Sequence, residues 1–371
     1  STMQQYAEEA MLKQLRTVIQ PKMDAQYRST KVLFQNTSAE EREKIVRQAM
    51  RYSDRYRALK EEGRSEAEID RIFRTPCPKQ GKRQIGSTIK PFVYTFAIDH
   101  LGLTPCTPVP NLPVTIDTSN GTPWSPKEAS KVVYDGEMHP LKWGLARSRN
   151  NYSAWIMKQA KQPEAVADFI HNMGIRSFID PVYALCLGTS ESSVFEMVSA
   201  FANGGVHTDP IFVTRIEDRQ GNLIATFIPE SQDAVSERTA YTMLTMLQSV
   251  VTNGTAGRLK WQFDLGDAQL GGKTGTSQRN RDAWFMCVAP KLVAGAWVGG
   301  EDQSVHPTYG GEGSIMALPI VGEFFSTVYK NPALGISKQD RFRRPDRVTE
   351  YDCEEEMQQS QYTEEEEGFF D

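Results

Sequence analysis

The amino-acid sequence predicts an α+β fold, in which helices pack on a β-sheet. Residues 1–80 have the apolar spacing of helices, and Ser38-x-x-Glu41 and Ser65-x-x-Glu68 are capping boxes that begin two of them. Later in the chain, three strand-like runs are separated only by short turns, and they are residues 268–277, 283–289 and 292–298. The last two runs are apolar on both faces, so helices must cover this sheet from both sides.

The segments between these two regions alternate helical periodicity with turn-forming residues. Helices are predicted at residues 87–101, 141–158 with a break at 147–151, 190–202 and 240–251. Residues 104–126 are rich in Pro and Thr, which predicts a surface excursion. Residues 212–227 predict a hairpin around Arg219-Gln220-Gly221-Asn222.

The acidic charge of the chain is concentrated near its C-terminal end. The 371 residues carry a formal net charge of −5, but residues 350–371 alone hold ten acidic residues and no basic one, which leaves +5 for the rest. Such a segment buries too little apolar surface to order itself, so residues 346–371 are predicted to be a disordered tail. No apolar run is long enough to span a membrane, no signal-peptide pattern begins the chain, and no nucleic-acid partner is predicted.

The five cysteines are too few for a disulfide scaffold. Cys186 and Cys287 lie in apolar, strand-like runs and are expected to be buried thiols. A disulfide between Cys77 and Cys106 is an alternative that the sequence does not decide. The five histidines are scattered along the chain, so no metal site is predicted.

The stretch Gly86-Ser87-Thr88-Ile89-Lys90-Pro91 contains a candidate nucleophile. Proline is tolerated in the first turn of a helix, where the backbone N–H has no intrahelical partner, so a buried helix is predicted to begin at Ser87. Lys90 lies three residues on, on the same face of that helix, and the helix N-terminus adds partial positive charge around both side chains. Ser87 is therefore a nucleophile beside a possible base.

Two later stretches complement this pair. Gly271-Gly272-Lys273-Thr274-Gly275-Thr276-Ser277 lies on the first of the three strands. Lys273 offers a cationic amine, Gly275 lets a ligand backbone approach closely, and the strand can pair with an extended peptide. Between the two, Ser148-Arg149-Asn150 supplies a hydroxyl and an amide, which are suited to relaying a proton and orienting a peptide.

In this order, Ser-x-x-Lys, Ser-x-Asn and Lys-Thr-Gly resemble the three motifs of penicillin-binding proteins and serine β-lactamases. The flanks, from Gly81 to Phe92 and at Asp282-Ala283-Trp284-Phe285, are similar to the transpeptidase domain of class A, 1a-type penicillin-binding proteins. The resemblance covers most of residues 1 to about 336. It implies a largely antiparallel central sheet flanked by helices, as in the penicillin-binding and serine β-lactamase fold.

The resemblance also implies catalytic roles. Ser87 would attack the D-Ala-D-Ala carbonyl of a peptidoglycan stem peptide, and Lys90 would take its proton. Ser148 and Asn150 would relay protons and hold the peptide. Lys90 can act as a base only if its pKa is lowered by desolvation and neighbouring positive charge, and Lys273 is the candidate neighbour.

The substrate-binding residues implied by the resemblance are Thr274, Gly275, Thr276 and Ser277. Lys273, Thr274 and Thr276 would hold the terminal carboxylate of the peptide. The backbone N–H groups of Ser87 and Thr276 would stabilise the oxyanion. No metal or cofactor is implied.

In organisation, the resemblance implies a transpeptidase core at residues 81–345, preceded by a helical part at residues 1–80. The native protein would lie at the periplasmic face of a bacterial inner membrane, anchored there and joined to a glycosyltransferase domain, with this chain a soluble fragment of it. The passage from Thr75 to Gly81 is much shorter than in the family, which normally carries tens of residues there, including strands of the central sheet.

Three functions are compatible with the motifs. The first is a DD-transpeptidase, with peptidoglycan stem peptides as substrates and β-lactams as inhibitors. The second is a serine β-lactamase or DD-carboxypeptidase, which transfers the acyl group to water, and the third is a non-catalytic module that binds penicillin or peptidoglycan. Residues 148–273 lack the Glu-x-x-x-Asn pattern that activates water in class A β-lactamases, and Asn150 argues against the class D type, so the transpeptidase is favoured.

Overall fold

A computed structural model describes residues 1–354 except 30–37, 53, 75–81, 119–120, 129–132, 193–202, 210, 212, 301–302 and 304. The α-helices are α1 (Thr2–Gln14), α2 (Gln20–Ser29), α3 (Ala39–Tyr52), α4 (Asp54–Glu61), α5 (Glu66–Arg74), α6 (Lys90–His100), α7 (Leu141–Ala146), α8 (Asn150–Ala160), α9 (Pro163–Asn172), α10 (Glu237–Thr252), α11 (Arg258–Gln262), α12 (Gly313–Met316) and α13 (Leu318–Tyr329). In these described ranges, no helix has both the length and the apolar character that crossing a membrane requires.

The β-strands are β1 (Arg83–Gln84), β2 (Pro108–Pro110), β3 (Met138–Pro140), β4 (Glu191–Ser192), β5 (Val206–Thr208), β6 (Arg215–Glu217), β7 (Leu223–Thr226), β8 (Ser231–Asp233), β9 (Gly271–Thr276), β10 (Asp282–Ala289) and β11 (Leu292–Gly299). β9, β10 and β11 form an antiparallel sheet with β10 in the centre. The remaining strands pair two by two, as β1–β4, β2–β3, β5–β8 and β6–β7. The predicted α+β class and the antiparallel central sheet are confirmed.

Helices enclose the central sheet. All eight residues of β10 are buried, as expected of a strand that is covered on both faces. α10 packs against β9, α12 and α13 pack against β10, and α1 packs against α13. Side chains hold α1 in place, because Lys13 pairs with Glu323 at 2.7 Å and the Gln14 amide donates to the carbonyl oxygen of Ile315 at 3.1 Å.

The chain divides into two compact units. One consists of Ser1–Gln20 and Lys82–Asp371, and the other is Pro21–Gly81, which contains α3, α4 and α5. This division differs from the predicted helical part at residues 1–80, because α1 belongs with α13 in the larger unit.

Both predicted capping boxes form in the smaller unit. The N–H of Ser38 donates to the Glu41 carboxylate at 2.7 Å, and the N–H of Glu41 donates to the Ser38 hydroxyl at 3.2 Å. Ser65 and Glu68 make the same reciprocal pair at 2.9 and 3.4 Å. These bonds satisfy N–H groups that have no partner inside a helix. Because they join residues only three apart, the Ser-x-x-Glu pattern predicts them from the sequence alone.

Most of the predicted elements between residues 87 and 251 are confirmed. The first helix forms as a 3₁₀ turn at Gly86–Ile89 that continues into α6, the predicted break separates α7 from α8, and β6 and β7 form the hairpin. α10 begins at Glu237, earlier than predicted, because the Ser236 hydroxyl caps it by accepting from the N–H of Thr239 at 3.0 Å.

Three local predictions are wrong. The helix at 190–202 does not begin where predicted, because Glu191–Ser192 pairs with β1 as a strand; residues 193–202 lie outside the described residues. Cys186 lies in a 3₁₀ turn at Tyr183–Leu187 rather than in a strand. The passage 104–126 is not confined to the surface, because pairing of β2 with β3 accompanies complete burial of Val109 and Asn111.

A disulfide joins Cys106 to Cys353, which excludes the Cys77–Cys106 alternative; Cys77 itself lies outside the described residues. Cys353 is buried, and Glu350 pairs with Arg344 at 2.5 Å. The prediction of a disordered tail is therefore wrong for residues 346–354, because a covalent bond to a distant cysteine holds a segment whose composition predicts disorder. Cys186 and Cys287 are free, buried thiols, as predicted.

We expect the Cys106–Cys353 bond to contribute to the stability of the domain. A chain that ends at residue 349 loses Cys353, whereas a chain that ends at residue 354 keeps it. The shorter chain should unfold at a temperature several degrees lower, since native disulfides typically contribute about 2–4 kcal/mol. Thermal denaturation of the two chains measures this difference. It should vanish in the presence of a reductant, and equal unfolding temperatures without reductant would contradict the prediction.

Candidate active site

Ser87 lies in the 3₁₀ turn at Gly86–Ile89, directly before α6. The turn is closed by Thr88, whose N–H and hydroxyl both donate to the carbonyl oxygen of Ile85, at 3.3 and 2.6 Å. Every residue of α6 from Lys90 to Ala97 is buried, while Ser87 stays partly exposed. The predicted nucleophile therefore lies at the start of a helix that runs into the core.

The amine of Lys90 is completely buried and bonds to the loop between α7 and α8. It donates to the carbonyl oxygen of Ser148 at 2.6 Å and to Oδ1 of Asn150 at 2.7 Å. Asn150 is the first residue of α8, and its side-chain amide donates to the carbonyl oxygen of Lys127 at 2.6 Å. The first two predicted motifs are thus in direct contact.

Lys273 reaches the same loop from β9. Its Nζ donates to the hydroxyl of Ser148 at 2.7 Å and to the carbonyl oxygen of Thr274 at 2.8 Å. Ser148 therefore lies between two lysine amines, with its carbonyl oxygen bonded to Lys90 and its hydroxyl bonded to Lys273. Its φ of 56° lies in the left-handed region, which residues other than glycine adopt only at a cost in conformational free energy.

Burial lowers the pKa of both amines. The pKa of Lys90 falls to about 8, chiefly because the charged form is desolvated; the negative charge of Glu128 raises it and the positive charge of Arg149 lowers it. The pKa of Lys273 is also lowered by burial, and then by the charge of Lys90. The predicted lowering of the Lys90 pKa is present, but its main cause is burial rather than the charge of Lys273.

The 3₁₀ turn at Gly86–Ile89, called the seryl turn below, packs tightly against β9. A methyl group at Gly86 would approach the carbonyl oxygen of Thr276 to 2.7 Å, and one at Gly275 would approach the carbonyl oxygen of Ile85 to 2.8 Å. Because neither position leaves room for a side chain, the backbone that directly precedes Ser87, at Ile85 and Gly86, lies against the third motif.

The remaining residues of the third motif differ in their surroundings. The hydroxyl of Thr276 accepts from the N–H of Gly313 at 3.1 Å, and the hydroxyl of Thr274 bonds to that of Thr255 at 2.8 Å. The hydroxyl of Ser277 donates to the buried Asp282 carboxylate at 2.7 Å. The Ser277 side chain therefore closes the turn between β9 and β10.

Besides Thr255 and Gly313, which contact the third motif, Gly188 and Glu128 lie at this site without having been singled out from the sequence. Gly188 has a φ of 70°, and its carbonyl oxygen accepts from the N–H of Gly86 at 3.0 Å. A glycine after a short apolar run is a helix C-cap signal, but nothing local indicates the contact with Gly86. Glu128 accepts backbone N–H bonds at the start of α8, and no pattern within its own segment predicts this.

The chain is similar to known penicillin-binding proteins. Residues 29–80 match the family described as penicillin-binding protein middle domain, and residues 176–300 match the penicillin binding protein transpeptidase domain. Over 252 residues the chain is 34% identical to penicillin-binding protein 1A of Neisseria gonorrhoeae, a match that covers 65% of this chain and 31% of that protein. The chain carries the transpeptidase domain of a class A penicillin-binding protein. It spans about a third of the length of the curated relatives that it matches.

Solved structures show the same penicillin-binding fold. Penicillin-binding protein 1A of Haemophilus influenzae superposes with a TM-score of 0.63 at 22% identity, covering 72% of this chain and 44% of that chain. Penicillin-binding protein A of Mycobacterium tuberculosis, solved as an imipenem acyl-enzyme complex, gives 0.56 at 16% identity and covers 75% and 66%. At these identities, the superpositions show that the fold of the penicillin-binding domain is shared.

Gly188 offers a test of how closely the seryl turn of this penicillin-binding domain is packed. A methyl group there would lie 1.9 Å from the carbonyl oxygen of Gly86, so Gly188→Ala must displace the turn that carries Ser87. Gly335 is the matched control, because its φ of 67° is similar and its surroundings are open. Both variants should lose about 1–2 kcal/mol of stability from left-handed strain.

Only Gly188→Ala should slow labelling by a fluorescent penicillin, by about tenfold or more, since 1.4 kcal/mol of misplacement is already tenfold in rate. Labelling rates and unfolding temperatures of both variants decide this. Equal labelling by the two variants would show that the turn tolerates displacement.

Proposed function

We propose that this domain is a peptidoglycan DD-transpeptidase that forms an acyl-enzyme on Ser87 from D-Ala-D-Ala stem peptides. The observation that carries the proposal is the meeting of the buried Lys90 and Lys273 amines on Ser148, beside the turn that presents Ser87. A serine hydroxyl is a weak nucleophile until an adjacent base removes its proton. A lysine whose pKa is about 8 supplies such a base near neutral pH.

In this proposal Lys90 accepts the proton of Ser87 as the hydroxyl attacks the peptide carbonyl. The hydroxyl of Ser148 gives its proton to the departing D-Ala amine and takes one in return from Lys273, whose Nζ donates to it. Asn150 holds the donor peptide, and its own side chain is oriented by its bonds to Lys90 and to the Lys127 carbonyl. The side chains of Lys90 and Asn150, and those of Lys273 and Ser148, already lie within hydrogen-bond distance of each other, which favours catalysis by positioning.

The third motif binds the end of the peptide in the same proposal. Lys273, Thr274 and Thr276 hold the terminal carboxylate. Gly275 contributes its backbone on β9, because the space at its Cα is filled by the carbonyl oxygen of Ile85 and the side chain of Thr88. The backbone N–H groups of Ser87 and Thr276 stabilise the oxyanion. The close packing of Gly86 on Thr276 supports this last assignment, because preorganised donors stabilise a tetrahedral intermediate by several kcal/mol.

Similarity to penicillin-binding protein 1A supports a proposal for the cellular setting. We infer that the whole protein acts at the periplasmic face of a bacterial inner membrane, where an anchor and a glycosyltransferase domain accompany this domain. Stem peptides are the donors, a second stem peptide supplies the acceptor amine, and β-lactams act as inhibitors. The acyl-enzyme known for the Mycobacterium tuberculosis neighbour with imipenem supports the last of these.

A hydrolytic function would need a carboxylate able to activate water beside the acyl-enzyme. Glu128 is the acidic group whose charge acts on Lys90, and both of its oxygens accept backbone N–H bonds at the start of α8. A carboxylate engaged in this way is poorly placed to take a proton from water. The structure therefore favours transfer of the acyl group over its hydrolysis.

Acylation by benzylpenicillin tests the nucleophile. Intact-mass analysis should show one covalent adduct, which is absent from Ser87→Ala and present in the control Ser249→Ala, whose hydroxyl bonds within α10. The adduct should persist for many minutes after excess penicillin is removed, because backbone N–H bonds occupy both oxygens of Glu128, the carboxylate whose charge acts on Lys90. An adduct on Ser87→Ala would exclude Ser87 as the nucleophile, absence of any adduct would favour the binding module, and turnover of several penicillins per second would favour a β-lactamase.

The pH dependence of acylation tests the base. Neutral Lys90 accepts the proton, and its pKa is about 8, so the rate should rise with pH up to about 8 and then level off. Well below the midpoint the rate should fall about tenfold for each pH unit. Labelling by a fluorescent penicillin between pH 6 and 9.5 measures the profile. Lys90→Arg, which stays charged, should be slow throughout, and a flat wild-type profile would contradict the assignment.

A further inference from the structure

Glu128 lies outside all three motifs but contacts the start of α8. Its Oε1 accepts from the N–H of Asn150 and from that of Asn151, both at 3.0 Å, and its Oε2 accepts from the N–H of Asn150 at 3.1 Å. The first N–H groups of a helix have no intrahelical partner, and no side-chain bond from Arg149, the N-cap residue, satisfies them. Glu128 therefore caps α8 from a distant part of the chain.

The same segment also holds the side chain of Asn150. The carbonyl oxygen of Lys127 accepts from the Asn150 amide at 2.6 Å, so Oδ1 is directed toward the amine of Lys90, which donates to it at 2.7 Å. Residues 127–128 thereby fix both the backbone and the rotamer of Asn150. Because Ser148 precedes it by two residues and has a strained φ of 56°, fixing Asn150 also restricts Ser148.

We propose that Glu128 is a positioning residue, whose carboxylate holds the loop of Ser148 and Asn150 around the Lys90 amine. The side chain of Glu128 is 9% exposed, and the guanidinium of Arg149 lies 3.8 Å away. A nearly buried carboxylate that accepts from two backbone N–H groups beside an opposite charge is a stronger anchor than a surface salt bridge would be. The effect on acylation rests on the proposed function, whereas the effect on Lys90 does not.

Besides holding the start of α8 by hydrogen bonds, Glu128 acts on Lys90 through its negative charge. Among the described residues, four titratable or charged groups act on the Lys90 amine: Glu128, Arg149, Lys273 and the neutral thiol of Cys186. Glu128 itself is faced by Arg149 and by the hydroxyls of Tyr94 and Tyr134, whose pKa values it raises in company with burial. Removing the carboxylate charge while keeping its shape should therefore lower the pKa of Lys90 below about 8.

Two substitutions separate shape from charge. Glu128→Gln keeps an oxygen that can accept the N–H bonds and loses the charge, whereas Glu128→Ala loses both. Asp218→Asn is the matched control, because Asp218 also accepts two backbone N–H bonds, from Gln220 and Asn222 at 2.8 Å, but at the turn of the β6–β7 hairpin. Thermal denaturation verifies that each variant is folded.

The first measurement is the rate of labelling by a fluorescent penicillin as a function of pH. Glu128→Gln should move the midpoint of the profile to lower pH, Glu128→Ala should label at least tenfold more slowly at every pH, and Asp218→Asn should match the wild type. Variants of Glu128 that label like the wild type over the whole range would overturn the proposal. A uniform loss in Glu128→Gln with an unmoved midpoint would overturn it too.

The second measurement does not depend on catalysis. The ¹⁵N resonance of the Lys90 amine, assigned through Lys90→Arg, reports its pKa directly in the wild type and in Glu128→Gln. A lower pKa in the variant supports the positioning role even in a domain that no penicillin labels, in which case only the proposed function fails. An unchanged Lys90 pKa excludes the role of Glu128 whatever the labelling shows.

Discussion

The burial of two lysine amines around Ser148 is the constraint on which the rest of the site depends. Moving an ammonium group out of water costs several kcal/mol unless the group is paired or loses its proton. Lys90 and Lys273 both bond to oxygens of Ser148, and burial lowers the pKa of each. The neutral form of the Lys90 amine is therefore populated near pH 8, one helical turn from Ser87. The same desolvation that opposes folding supplies the base.

This arrangement needs a loop that the chain would not adopt by itself. Ser148 has a left-handed backbone, which is uncommon for a residue with a side chain, so neighbouring contacts must hold it. Several buried polar groups do so from the segment before α7. The guanidinium of Arg149 donates to Oδ1 of Asn111 at 2.6 Å, and the amide of Asn151 donates to the carbonyl oxygen of Leu112 at 3.0 Å. A passage with little periodicity of its own thereby supports the second motif.

On the other side of Ser87, the site depends on the central sheet. Asp282 is buried at the start of β10, where its carboxylate accepts from Arg83 Nε at 2.8 Å, from Trp297 Nε1 at 3.0 Å and from the Ser277 hydroxyl. It therefore ties the strand that precedes the seryl turn to the end of the third motif. Truncating one partner of such a buried pair leaves an unpaired charge, which is strongly destabilising. These contacts explain physically why an aspartate stands first in Asp282-Ala283-Trp284-Phe285, the flank that resembles the family.

The sequence by itself determined the features that depend on neighbours in the chain: the α+β class, the three strands, both capping boxes, the helix at Ser87 and the three motifs. Periodicity, caps and turns act over a few residues, so they are legible without a fold. Only the tertiary structure decided that Cys106 pairs with Cys353, that Glu128 caps α8, that Gly188 supports the seryl turn and that burial is the main cause of the lowered Lys90 pKa. Each of these depends on groups far apart in sequence, whose contacts and exclusion from water exist only once the chain has packed.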